Sequence, residues 1–126
     1  MDNIYFPPRE LEVMSILWRL GSATVADVRT ALQEDLAYTS VLSALQTLEE
    51  KGYVGHKAEG RGRVYRYHPL VKAERAGISA LARIKTAIFH GSAERMFAQM
   101  IAERGLSRDE LQRMRRLLAE RLREES

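Results

Sequence analysis

The chain contains no cysteine. That absence excludes disulfides, thiolate zinc sites, iron–sulfur clusters and a cysteine nucleophile. No stretch approaches the run of about 18 apolar residues needed to cross a bilayer, so direct membrane insertion is not expected. Met1-Asp2-Asn3 lacks the basic start of a secretory leader, and a cytoplasmic location is expected. The three histidines, His56, His68 and His90, sit in separate segments. None has a zinc-type ligand partner three or four residues away, and a cross-strand pair of His56 and His68 would be only half a site. No nucleophile elbow and no phosphate-binding loop appears among the serines and carboxylates. No enzyme activity, no metal and no cofactor are expected.

What is present is 126 residues, enough for one compact unit or two small ones. The formal charge is +3, but it is unevenly spread. Residues 1–70 carry eight basic and nine acidic side chains. The positive excess therefore belongs to the C-terminal half. Within residues 51–66, Lys51, Lys57, Arg61, Arg63 and Arg66 face Glu59 alone. So few basic groups would give modest affinity for a polyanion per copy.

Residues 37–69 organise the chain. Val41, Ala44, Leu45 and Leu48 follow an i, i+3, i+4, i+7 spacing, which makes one apolar stripe on a helix closed by Gly52. The opposite face carries Thr39, Leu42, Ser43, Gln46 and Glu50, with Ser40 and Thr47 at its edges. Solvated helix faces usually carry Lys, Glu and Arg. Short, uncharged, hydroxyl-bearing side chains can instead approach base edges and phosphates closely, and a Thr or Leu methyl can pack on thymine. Tyr53 to Lys57 and Arg63 to His68 are rich in β-branched and aromatic residues and read as two strands. Gly60 and Gly62 form the tip, flanked by Arg61 and Arg63. Arginine on a glycine-rich loop suits phosphate or minor-groove contact.

Upstream, Pro7-Pro8 introduces a helix over Arg9 to Leu20, ended by Gly21. Leu11, Met14 and Trp18 form its stripe, with Val13, Leu17 and Leu20 beside it. Ile4, Tyr5 and Phe6 can pack back on this core. Ser22-Ala23-Thr24-Val25 reads as a short strand pairing with the hairpin. Thr24 and Asp27 form a capping box. The second helix then runs to about Glu34, with Val25, Val28 and Leu32 inward. Two helices joined by a tight turn, followed by a hairpin, make a winged helix-turn-helix.

After Pro69 the texture becomes Ala-rich and helical. One helix spans residues 71–89, with Leu81, Ile84 and Ile88 on one face. Ser92 caps a second from Ala93 to Ala102, ended by Gly105, with Met96, Phe97, Met100 and Ile101 apolar. Ser107 and Glu110 form a capping box that opens the last helix. Leu111, Met114, Leu117, Leu118 and Leu122 point inward there, and arginines dominate the outer face. Interleaved Glu120, Glu124 and Glu125 suggest a solvated, salt-bridged surface. Three helices in so short a segment make a thin core alone, and a two-fold mate would complete it. The expected fold is mainly α with a small β wing. Residues 1–70 form a winged-helix DNA-binding domain and residues 71–126 a helical dimerisation domain.

Glu10-Leu11-Glu12-Val13-Met14, Leu17-Trp18, Ala23 to Val28, Leu36 to Val41, Leu48 to Val54 and Arg63 to Tyr67 occur together in this order. The set closely resembles the penicillinase-repressor (BlaI/MecI/CopY) family, over residues 6–123. The resemblance implies a homodimeric repressor on a palindromic double-stranded DNA operator. It also implies a link to a membrane-bound metallopeptidase sensor that triggers cleavage in the C-terminal domain. It places Tyr38, Thr39, Ser40, Leu42 and Ser43 in the groove-facing segment and Arg61 and Arg63 in the wing. Gln46 joins the DNA-binding set from its helix face. The recognition helix covers residues 38–51 and the wing residues 59–63. Three departures stand out. Some members have a basic residue where this chain has Leu42, which cannot make a bidentate contact to guanine. The C-terminal cysteine cluster of the copper-responsive branch is missing. The cleavage position aligns near Gln99-Met100, whose residue types differ from the Asn-Phe pair of the β-lactam-responsive branch. A second reading is a winged-helix module that holds a protein partner through its C-terminal helices and does not read DNA.

Overall fold

A computed structural model describes residues 3–126. In chain order the elements are α1 (Pro8–Leu20), β1 (Ala23–Thr24), α2 (Val25–Ala31), α3 (Tyr38–Glu50), β2 (Val54–Glu59), β3 (Val64–Pro69), α4 (Ala73–Ala87), α5 (Ala93–Ile101) and α6 (Arg108–Glu124). They fall into two compact units, residues 1–81 and 82–126, with the division inside α4.

In the first unit, α1 begins behind Pro7 and ends at Gly21, whose φ of +83° favours glycine. The Thr24–Asp27 capping box holds the start of α2: each side chain accepts a hydrogen bond from the other residue's backbone N–H at 3.1 Å. The helix stops earlier than its apolar pattern suggested. Leu32 is already extended, as the C-cap of α2, yet stays buried. The turn into α3 is tied down twice. Arg29 Nε donates to the Leu36 carbonyl at 2.7 Å, and Arg9 donates to Glu34 at the same distance.

Val13, Met14 and Leu17 of α1 meet Val28 of α2 and Val41, Leu45 and Leu48 of α3 in the core. Ile4 and Phe6 fold back to close one side, while Tyr5 stays exposed. Leu11 and Leu20, expected inside, are exposed; Ile16 takes the inward place. Trp18 is half-buried against the core, edge-on to Phe6, and its Nε1–H donates to the Val71 carbonyl at 2.8 Å.

The sheet is antiparallel with order β1-β3-β2. Its register pairs Ala23 with Tyr67 and His56 also with Tyr67, so Tyr67 stands between both neighbours. His68 lies opposite Gly55 and not opposite His56. A Cβ added at Gly55 would sit 3.1 Å from the His68 ring, which explains a residue without a side chain there.

In the second unit the apolar stripes lack a cover. Leu81, at the end of the first unit, and Ile84, Ile88, Phe97, Met100, Ile101, Leu111, Leu117, Leu118 and Leu122 are all exposed; Met96 and Met114 are half-buried. The expected inward packing of α6 is therefore not made within the described chain. Helix α5 ends at Ile101 with Ala102 as cap, ahead of Gly105.

These contrasts set stability. Leu45→Ala should cost about 2–5 kcal/mol because it opens a cavity at a fully buried site. Leu11→Ala, on the exposed side of α1, should cost about 0.5 kcal/mol or less. Urea unfolding followed by circular dichroism measures both.

Candidate nucleic-acid interface

The first turn of α3 differs from that of α2. Its N-cap is Ala37, with no side-chain hydrogen bond and no acidic residue in the turn. Ser40 and Val41 N–H reach back to the Ala37 carbonyl, leaving the Tyr38 and Thr39 N–H groups outside the helical ladder. Such uncapped N–H groups, with the positive end of the helix dipole, suit an anion. Tyr38, Thr39, Ser40, Ser43 and Gln46 are all exposed. Leu42 is half-buried and packs against the core, so only part of its side chain faces outward.

The wing stands beside this helix. His56 Nδ1 lies 2.6 Å and 2.8 Å from the two carboxylate oxygens of Glu49, which joins β2 to the end of α3. The His56 ring also packs against Tyr65 and Tyr67, with centroids 4.7 Å and 5.5 Å away. Between the start of α2, α3 and the wing runs a groove of about 440 Å³. Tyr38, Leu42, Gln46, His56, Arg63 and Tyr65 line it. Sequence reasoning did not single out Glu49 or Tyr65. The signal for Glu49 was its position seven residues before a strand histidine, which identifies nothing until the hairpin is folded back.

The basic side chains divide into two groups. Arg66 is a strut: it reaches Glu59 at 3.2 Å, Asp27 at 3.8 Å and the Ser22 carbonyl at 3.5 Å. Lys51 is tied to Glu10 at 2.9 Å. Lys57, Arg61 and Arg63 are exposed and have no ion pair among the described residues. Arg61 and Arg63 occupy the tip between β2 and β3, where Gly60 takes φ +68°. The local excess of positive charge is thus smaller than the sequence implied, and it is concentrated on the wing.

An exposed, hydroxyl-bearing helix after a fixed turn, flanked by an arginine-tipped hairpin, defines the winged-helix class of transcription regulators. The family model described as "Penicillinase repressor" matches residues 6–120, and the chain belongs to that family. It is a DNA-binding regulator and not an enzyme. No curated protein matches the chain. Among solved structures, a MarR family protein from Bacillus stearothermophilus is similar at 20% identity and TM-score 0.56, covering 97% of this chain and 76% of that one. FabT from Streptococcus pneumoniae, in complex with DNA, is similar at 21% identity and TM-score 0.50, covering 94% and 74%. A mutant MarR from E. coli complexed with operator DNA gives 14% identity and TM-score 0.51, covering 93% and 76%. At these identities the likeness is one of fold. No described helix is long and apolar enough to cross a membrane.

The interface also has a titration signature. Burial raises the Tyr67 phenol above its ordinary value of 10.0, with the Glu49 carboxylate adding to the effect. The folded state therefore favours the neutral phenol. The stabilisation is complete below pH 10.0 and is lost as pH rises through the folded value. Tyr67→Phe should remove that alkaline loss, so the variant's denaturation midpoint should fall less steeply above pH 10 than the wild type's.

Proposed function

We propose that the protein is a repressor that binds a palindromic operator as a homodimer. The recognition helix, residues 38–51, enters the major groove, and the wing, residues 59–63, rests on the backbone or in the minor groove. Tyr38, Thr39, Ser40, Ser43 and Gln46 meet bases and phosphates, with the outer part of Leu42 against a thymine methyl. Arg61 and Arg63 neutralise phosphates. The observation that carries this reading is the pairing of an uncapped, uncharged first turn of α3 with unpaired cations on the adjoining wing. The alternative, a protein-docking module that does not read DNA, leaves that pairing without a purpose.

Each copy offers few phosphate contacts, which favours two copies on an inverted repeat. Leu81, Ile84, Ile88, Met96, Phe97, Met100, Ile101, Leu111, Met114 and Leu118 supply the dimer surface. The exposure of all of these but Met96 and Met114 in a lone chain supports this, because such a quantity of apolar surface is normally covered by a partner. Release follows the family's route, through a membrane metallopeptidase sensor and cleavage near Gln99-Met100. No residue of α5 is buried within one chain, so in this reading the partner copy holds the helix in place and a cut there would separate the copies.

Selection from a random duplex library at physiological salt should enrich an inverted repeat. Arg61→Ala and Arg63→Ala should weaken binding to all sequences and each reduce the log–log salt slope by about 1 per copy. Thr39→Ala and Ser43→Ala should instead change base preference with little effect on slope. An unenriched pool from folded protein would favour the docking module.

The dimer has its own test. Leu118→Glu should sediment as a monomer and lose the operator while keeping its winged-helix stability. A chain cut between Gln99 and Met100 should behave the same way. Sedimentation of either form as a dimer would contradict the assigned surface.

A further inference from the structure

At about 3.6 residues per turn, positions 108, 112, 115, 116, 119 and 123 of α6 share one side. They are Arg108, Gln112, Arg115, Arg116, Ala119 and Arg123, and no acidic residue interrupts them. Glu120, one turn from both Arg116 and Arg123, borders the stripe without pairing with either, Asp109 and Glu124 fall beside Arg113, and Leu111, Leu118 and Leu122 lie on the other flank. The four arginines are exposed and have no ion pair among the described residues. The α6 glutamates that do pair, Glu124 and Glu125, go to Arg121. The salt-bridged surface that the composition suggested is thus present at Arg121, and these four arginines take no part in it.

The distribution of charge gives this stripe weight. Residues 1–81 hold ten basic and ten acidic side chains, and residues 82–126 hold ten basic and seven acidic. The whole net charge of +3 thus resides outside the unit that contains the reading helix. On the wing only Lys57, Arg61 and Arg63 are left unpaired among the described residues. A duplex-binding protein draws its sequence-independent affinity from neutralised phosphates, and the wing supplies few.

We propose that Arg108, Arg115, Arg116 and Arg123 of α6 form a second, sequence-independent contact to the phosphates of duplex DNA. The stripe spans roughly 22 Å, long enough to meet several phosphates. All four residues are arginine, whose planar fork suits phosphate oxygens better than the point charge of lysine. An anionic membrane is the weaker match, because the leucine face of α6 that would enter the lipid is the face assigned above to the partner copy. The inference rests on the DNA-binding reading above and deepens it by dividing the protein's affinity between two units.

The test titrates full-length protein onto a mixed-sequence duplex of about 40 base pairs across a range of salt. The wild type should show a steep log–log salt dependence. Replacing the four arginines together, R108Q, R115Q, R116Q and R123Q, should lower the slope by about 0.9 for every phosphate that is no longer neutralised, and weaken binding at least about tenfold at low salt. Four lysines at the same positions should keep most of the slope. Arg121→Gln, which alters a paired residue, should match the wild type. An unchanged slope in the glutamine variant, with helix content and sedimentation intact, overturns the proposal. A glutamine variant that sediments as a monomer also overturns it and assigns the stripe to the interface between copies. Capture of the wild type alone by phosphatidylserine vesicles, with equal duplex binding by both proteins, overturns it in favour of lipid. If the selected inverted repeat binds the glutamine variant with wild-type slope, this inference fails alone. If the wild type binds neither duplex, the operator reading fails with it.

Discussion

Val41, Leu45 and Leu48 leave water only when α3 packs its single apolar stripe toward Val13, Met14 and Leu17 of α1 and Val28 of α2. With a helical repeat of 3.6, that burial decides the rotation of α3 about its own axis. Thr39, Ser43 and Gln46 then point outward without any further instruction. The same packing sets where α3 ends. The Gly52 turn sends the chain back, Tyr53 N–H donates to the Leu48 carbonyl, and Leu70 N–H donates to the Tyr53 carbonyl. The hairpin is thus attached at its base to the helix whose outward face it flanks, and the Glu49–His56 contact adds a second attachment.

Much of this was legible because the signals are local. Capping boxes at Thr24–Asp27 and Ser107–Glu110 act within one turn, and the structure shows both. Gly21 and Gly52 each take positive φ at the end of a helix the periodicity had located. The errors arise where a neighbour decides. Leu11 and Leu20 continue the apolar pattern of α1, yet both are left exposed among the described residues. Leu32 fits the inward stripe of α2, yet is buried from an extended backbone, so the side-chain pattern outran the helix. Which cations are free was not legible at all. Arg66 and Lys51 look like Arg63 and Lys57 in a sequence; their acidic partners, Asp27 and Glu10, are brought near only by folding.

A count of formal charges therefore misstates what the protein can offer a polyanion, in both directions. Near the reading helix it overestimates, because paired cations serve the fold. On α6 it underestimates, because among the described residues the acidic groups that lower the sum pair with Arg121 or with no arginine of the stripe. The placement of charge around each element, more than its total, separates architecture from recognition.

Trp18 adds a property of a different kind. It is the chain's one tryptophan. Its indole N–H is held by the carbonyl of Val71, two residues before α4 begins, and Phe6 packs edge-on to its ring at 6.0 Å. The intrinsic emission of this protein is thus an optical gauge of one seam, where the N-terminal strap, α1 and the entry to α4 meet. A change at that seam shifts the colour of the light, while events confined to the wing tip leave the spectrum as it was.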